Sequence, residues 1–241
     1  MVVPSSPVVP ERLNWLLTGY PNASMARYLV LGFLQGFDIG YRGSLTLSQP
    51  HNLKSALRHP DEVTAALDKE VTRGHTMGPF YNPPFSILHT SPLGAVPKKD
   101  GSYRLILDLS YPKGSAINDG IDHDEFSVSY TAFDAATDMV GLLGPGAYMA
   151  KVDIKHAFRL CPVRPADYPL LGIYWNNAYY VDTRLPFGSR SSPYIFNSFA
   201  DALCWILVTV GGIAHIIHYL DDFFMAAVDH KRCGRIVIPK K

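Results

Sequence analysis

Between Ile213 and Ala227 runs an apolar stretch with two adjacent carboxylates, Asp221 and Asp222, at its centre. Ile213, Ile216 and Ile217 precede them and Phe223, Phe224, Met225, Ala226 and Ala227 follow. Apolar residues at this density go into a core, and ionised carboxylates leave water only where something positive meets them. One arrangement satisfies both demands, a hairpin with its turn at the carboxylates. The turn could then be an exposed one, a salt-bridged structural pair or a metal site. The run alone leaves all three open.

The rest of the chain reads as mixed α+β. The first ten residues, rich in proline and serine, are expected to be disordered, and a weak helical signal covers Met25 to Leu34. PDEVTAALDKEVTRG is a helix: Val63, Leu67 and Val71 share a face, Asp61 and Glu62 sit in its first turn, and Arg73 and Gly74 close it. GPFYNPPFSILHTSPLG holds too many prolines for a helix and is expected to run extended over the surface. Asp100-Gly101 marks the turn of a hairpin over 94–110. A helix follows Thr131 and ends before Gly144-Pro145, 148–153 is a strand, and Asn176-Asn177 turns a second hairpin over 170–182. From Pro193 to Val210 the spacing is helical, with Ser192 as N-cap and Gly211-Gly212 as stop.

A third carboxylate, Asp153, ends the strand 148–153. If that strand lies beside the hairpin turn, three carboxylates converge, and like charges so close need a cation. Magnesium, which takes hard oxygen ligands and few carboxylates, is the natural one. The bland reading leaves Asp153 as a segment cap and Asp221-Asp222 as an exposed turn.

Four segments together carry a resemblance. Tyr219-Leu220-Asp221-Asp222 resembles the YxDD signature of reverse transcriptases, and Asp153-Ile154-Lys155-His156-Ala157-Phe158 their first carboxylate motif. Leu185-Pro186-Phe187-Gly188 with Ser192-Pro193 resembles their LPxG segment, and Lys98, Lys99 and Arg104 lie where that family has its fingers hairpin. LILDLSYPKGSAINDGI (105–121) and GFDIGYRG (36–43) resemble the tyrosine-recombinase retrotransposons of the DIRS type.

The resemblance implies a right-hand polymerase with fingers and an antiparallel palm sheet, ending before a thumb. Residues 11–59 would be an N-terminal extension, 60–147 mainly fingers, and 148–228 palm with fingers residues interleaved at about 162–192; 229–241 would be an unrelated tail. It implies template-directed nucleotidyl transfer by two metal ions, Mg2+ or alternatively Mn2+. Asp153, Asp221 and Asp222, with the Ile154 carbonyl, would hold the metal. Lys98, Lys99, Arg104, Ile154, Ala157, Phe158, Phe187 and Gly188 would meet the deoxynucleoside triphosphate. Pro186, Ser192, Tyr219 and Leu220 would line the template and primer, an RNA or DNA strand with its primer. Phe158 would be the aromatic gate against a 2′-hydroxyl.

Each role has a plainer alternative. Lys98 and Lys99 could be solvated turn residues, Arg104 could pair with Asp108, and Phe158 could be core. His215 and His218 read as half-buried strand residues, and Cys161 and Cys204 as buried small hydrophobes. The rival functions are an inactive relic acting as a nucleic-acid-binding or interaction module, and a two-metal phosphodiesterase.

Composition bounds these readings. At 47% hydrophobic and 18% charged, the 241 residues can build a real core. A formal net charge of +1 gives no basic excess of the kind nucleic-acid binders show, and leaves room for a local groove. Three cysteines without metal-like spacing suggest reduced thiols in an intracellular protein, with pairing of two left open. No apolar stretch reaches spanning length, and no secretory signal or membrane partner is expected. Without a thumb to grip the duplex backbone, the expectation is weak, salt-sensitive binding and impaired synthesis.

Overall fold

Proline at the first position, two acidic residues in the first turn and a glycine past the end frame the clearest helix, α4 (Pro60–Thr72); Val63 and Leu67 are fully buried and Gly74 leaves it with φ +69°. The computed structural model describes residues 3–228. Before α4 come α1 (Pro10–Leu16), α2 (Ala23–Gln35) and the single turn α3 (Lys54–Leu57). After it come β1 (Thr76–Phe80), β2 (Leu93–Pro97), β3 (Tyr103–Leu107), α5 (Phe133–Leu143), β4 (Tyr148–Asp153), β5 (Gly172–Trp175), β6 (Ala178–Asp182), α6 (Ser192–Thr209), β7 (Ile216–Tyr219) and β8 (Asp222–Ala227). The strands form three antiparallel sheets, β1-β6-β5, β2-β3 and β4-β8-β7. No helix among the described residues is long and apolar enough to cross a membrane.

The chain divides into two interleaved compact units. The first takes residues up to Pro10, Leu31–Ser127 and Phe158–Ile195; the second takes Glu11–Val30, Val128–Ala157 and Phe196 onward.

In the first unit the two hairpins form where glycine or asparagine can turn the chain. Gly101 has φ +80°, and Asn176 and Asn177 have φ +47° and +59°, the left-handed pair that a two-residue hairpin loop requires. The GFDIGYRG segment is tied down by charge: Arg164 meets Asp38 at 2.8 Å and Asp167 at 2.9 Å, and Asp167 accepts from the Ile39 N–H at 3.0 Å. Gly36 has φ +86°, and a Cβ there would lie 2.4 Å from the Arg164 backbone, so no larger residue fits.

Two expectations change here. Leu88 to Leu93, expected on the surface, is buried; its backbone is satisfied by Pro169, Ser48 and Gly172, so the polar main chain survives out of water. The Ser-rich start, expected to be disordered, is held: Ser6 Oγ donates to the Leu160 carbonyl at 2.7 Å, and the buried Arg184 donates to that of Ser5 at 2.6 Å.

In the second unit β8 is the central strand, pairing β4 from Tyr148↔Ala227 to Asp153↔Asp222 and β7 from Ile216↔Met225 to Tyr219↔Asp222. Phe223 and Met225 are buried on one face, while Met149, Lys151 and Asp153 stand exposed along β4. Cys161 is buried, Cys204 only half-buried, and both are free thiols; burial pushes them up, Cys204 to about 12. Cys233 and the expected unrelated tail lie outside the described residues.

Candidate active site

The apolar run around Asp221 and Asp222 folds as the β7–β8 hairpin, and its register decides where the carboxylates go. Tyr219 pairs with Asp222, leaving Leu220 and Asp221 as the two-residue turn. Asp222 itself lies in β8, opposite Asp153 at the end of β4. The Ile154 N–H donates to the Asp221 carbonyl at 2.9 Å, joining the turn to the residue after Asp153. Side chains two apart on a strand, or directly opposite across a pair, share a face. Lys151, Asp153 and Asp222 therefore stand on one face of the sheet.

Lys151 reports the field of that face. Its ammonium is 2.9 Å from Asp222 Oδ2, and it is held above its ordinary pKa first by Asp222 and then by Asp153 and Asp221. Positive charge is thus favoured where the three carboxylates act together. Among the described residues, however, no three His, Cys, Asp or Glu side chains are gathered into a ready-made ion cage. The convergence is one of strand ends and of field, with Asp222 engaged by Lys151. Tyr219, 55% exposed, lies against Tyr130 with ring centroids 5.0 Å apart. Ala157 is buried and begins a short 3-10 turn, Ala157–Leu160.

The first unit gathers the other candidates. Phe158 is half-buried, so it is not plain core, and its ring meets that of Phe187 at 5.2 Å. Arg104 on β3 holds its guanidinium 5.6 Å from the Phe187 centroid, a cation–π contact in place of the considered pairing with Asp108. Asp108 instead accepts from the Ser110 N–H at 3.1 Å. Arg104 and Phe158 thus both meet the Phe187 ring. Lys98 and Lys99 are exposed beside the β2–β3 turn.

Pro186 is buried, whereas Phe187 and Gly188 project. Gly188 has φ +108°, and a Cβ there would lie 2.6 Å from the Leu107 carbonyl oxygen. Ser192 does not act as the expected free N-cap: it is the first residue of α6 and its hydroxyl donates to the Pro186 carbonyl at 2.9 Å, closing the loop.

A family model of the reverse transcriptase (RNA-dependent DNA polymerase) matches residues 96–238, more than half of the chain. The chain belongs to the reverse transcriptase family. Among curated relatives it is 27% identical over 139 residues to a Pro-Pol polyprotein of Simian foamy virus type 1, covering 58% of this chain and 11% of the relative. It is 23% identical over 147 residues to a retrovirus-related Pol polyprotein from transposon opus of Drosophila melanogaster, covering 59% and 13%. The chain therefore spans only about a tenth of each relative's length.

Similar solved structures are foamy viral protease-reverse transcriptases. One, in complex with RNA/DNA hybrid, has a TM-score of 0.59 at 17% identity and covers 98% of this chain and 31% of that one. The CSH mutant of prototype foamy virus protease-reverse transcriptase has a TM-score of 0.56 at 19% identity, covering 94% and 28%. The shared fold is the mixed helix and antiparallel-sheet architecture described above.

Against this family background two residues stand out that sequence reading missed. Asn118, buried, donates to the Gly188 carbonyl at 2.9 Å and accepts from the Arg190 N–H at 2.9 Å, clamping the Phe187–Gly188 loop. Arg159, next to Phe158, is buried between Asp182 at 2.6 Å and Glu70 at 2.9 Å. Burial pushes Glu70 up, but hydrogen bonds from His75 and Arg159 outweigh it and hold the carboxyl far below its ordinary value. Asp182 is shifted the other way, burial prevailing over Arg159. His218, expected as a half-buried strand residue, lies buried in β7 and touches the carboxylate turn.

Proposed function

We propose that the chain carries the fingers and palm of an RNA-directed DNA polymerase of a DIRS-type retrotransposon, extending a primer on an RNA or DNA template. The observation that carries this reading is the meeting of β4 and β8: Asp153 opposite Asp222, with Asp221 tied to Ile154 in the adjoining turn. The 36–43 and 105–121 segments support the narrower retrotransposon class. The foamy viral neighbours in complex with double-stranded DNA and with RNA/DNA hybrid support a primer–template partner.

The donor set fits a hard divalent cation: carboxylates on an exposed sheet face, in a field that already draws an ammonium. Asp153 and Asp221, with Asp222 and the Ile154 carbonyl, would hold Mg2+ or Mn2+. When bound, the metal would supply activation of the primer 3′-hydroxyl and stabilisation of the leaving pyrophosphate. The chain's own residues would do the rest. Arg104, with Lys98 and Lys99, neutralises triphosphate charge, the arginine in forked geometry held by its stack on Phe187. Phe158 leaves no room for a 2′-hydroxyl. The exposed Gly188 presents backbone to the nucleotide, a Cβ there being excluded by the Leu107 carbonyl oxygen.

One observation favours the second reading, a nucleic-acid-binding module without catalysis: the Lys151–Asp222 pair engages one of the three carboxylates. Metal binding separates the two. Mn2+ at about a hundred times its Kd should stabilise the protein by roughly 2–3 kcal/mol, and Asp153→Asn with Asp221→Asn should abolish this. Equal metal response in wild type and double variant, read by calorimetry, would remove the metal site and leave the binding module.

A further inference from the structure

Leu220 occupies the first position of the carboxylate turn with φ +52°. An L-residue in that region is strained, and leucine lacks the short polar side chain with which asparagine or aspartate offsets it. Something outside the residue must hold the turn. The hydrogen bonds show what does.

Asp221 sits between two peptide planes. The plane after it is anchored at its carbonyl, which accepts from the Ile154 N–H at 2.9 Å. The plane before it contains the Leu220 carbonyl, and that oxygen is 3.2 Å from Nδ1 of His218. A carbonyl only accepts, so Nδ1 donates. Because the peptide unit is rigid, fixing this oxygen fixes the plane that carries the Asp221 Cα.

His218 is itself immobilised. It is 7% exposed, its ring stacks on Phe223 at 5.3 Å and 24°, and its Nε2 is 2.9 Å from Asp201 Oδ1 on α6.

We propose that His218 is a positioning residue for Asp221: held by Asp201 and Phe223, it donates to the Leu220 carbonyl and keeps the left-handed turn in the conformation that presents the Asp221 carboxylate. This rests on the reading of Asp221 as a metal-binding catalytic carboxylate, and the test separates the two.

In the full chain, His218→Asn puts an amide N–H close to the place of Nδ1, and His218→Gln puts one close to that of Nε2. Amide hydrogen exchange over 220–223 reads the turn directly, and the half-saturating Mn2+ concentration reads its consequence. Losing one hydrogen bond should speed exchange roughly tenfold in His218→Gln and weaken Mn2+ binding several-fold, with His218→Asn staying within about threefold of wild type. A plain strut between α6 and the hairpin would show the reverse order, since glutamine keeps the Asp201 contact. The reverse order, or equal effects, overturns the proposal. Should neither variant fold, Asp201→Asn must speed exchange at 220–223 while leaving the rest of the ladder, from Tyr148↔Ala227 to Lys151↔Phe224, protected; unchanged exchange overturns it. If Asp221→Asn leaves the Mn2+ response untouched, the metal reading fails, and the exchange order still judges His218.

Discussion

Phe158 belongs neither to the core nor to the surface. Its ring is half-buried against Phe187, which in turn carries the Arg104 guanidinium. Replacing Phe158 with valine removes the ring that meets Phe187. The ratio of kcat/KM for deoxynucleotides over ribonucleotides should fall by roughly 10- to 100-fold, the scale of a lost packing contact expressed as discrimination. An unchanged ratio in an active variant would return Phe158 to the role of filler. Lys151 gives a second prediction at this scale. Its ammonium pairs with Asp222, so Lys151→Met should lower the Mn2+ concentration needed for half-saturation; a higher requirement would mean the lysine helps to build the site rather than competing for it.

Among the elements, hairpins and helices with local punctuation were legible in the sequence. Asp100-Gly101 and Asn176-Asn177 turn as expected, and α4, α5 and β4 lie where periodicity and glycine place them, because each signal is a property of a few consecutive residues. The β7–β8 turn was legible in position but not in conformation. A leucine with φ +52° follows no preference of its own; the turn is tied to Ile154 on the neighbouring strand, and the adjacent His218 that meets it is held by Asp201 on α6. Leu88 to Leu93 was misread because proline and polar residues resemble a surface loop, whereas partners as distant as Gly172 satisfy its backbone. The Phe187–Gly188 loop was found by motif, but its clamp was not, since Asn118 stands 70 positions away. Asn118→Ala would leave the Gly188 carbonyl and the Arg190 N–H unpaired. It should cost roughly 1–3 kcal/mol of stability and raise KM for nucleotide more than it lowers kcat. Urea titration and steady-state kinetics check the two parts, and a variant with wild-type KM would show that the clamp does not reach the nucleotide.

For the whole molecule, the central ionic cluster is Glu70, His75, Arg159 and Asp182, and it lies in the first unit. Removing one partner of a buried pair strands the other, so Arg159→Ala should destabilise by about 3–5 kcal/mol, as measured by denaturant unfolding. Glu70 supplies the pH dependence. Its folded pKa is depressed from an ordinary value of 4.5, so its contribution is fully present above that pH and is lost as pH falls below it. Asp182, shifted upward, acts in the opposite sense. The stability difference between wild type and Glu70→Gln isolates Glu70: it should be largest at neutral pH and shrink on acidification below about 4.5. A difference independent of pH between 7 and 3 would mean that the carboxylate's charge is not what stabilises the cluster.

The central claim is that the strand-end carboxylates transfer nucleotides. Single-nucleotide incorporation tests it most directly, because adding one nucleotide to a saturating primer–RNA template demands no sustained grip on the duplex. The 241-residue protein with Mn2+ should add the templated deoxynucleotide, and Asp221→Asn should lose at least about a hundredfold in rate, since the lost ligand acts where charge develops in the transition state. Equal rates in wild type and Asp221→Asn, or shortening of the primer in place of extension, would contradict the account.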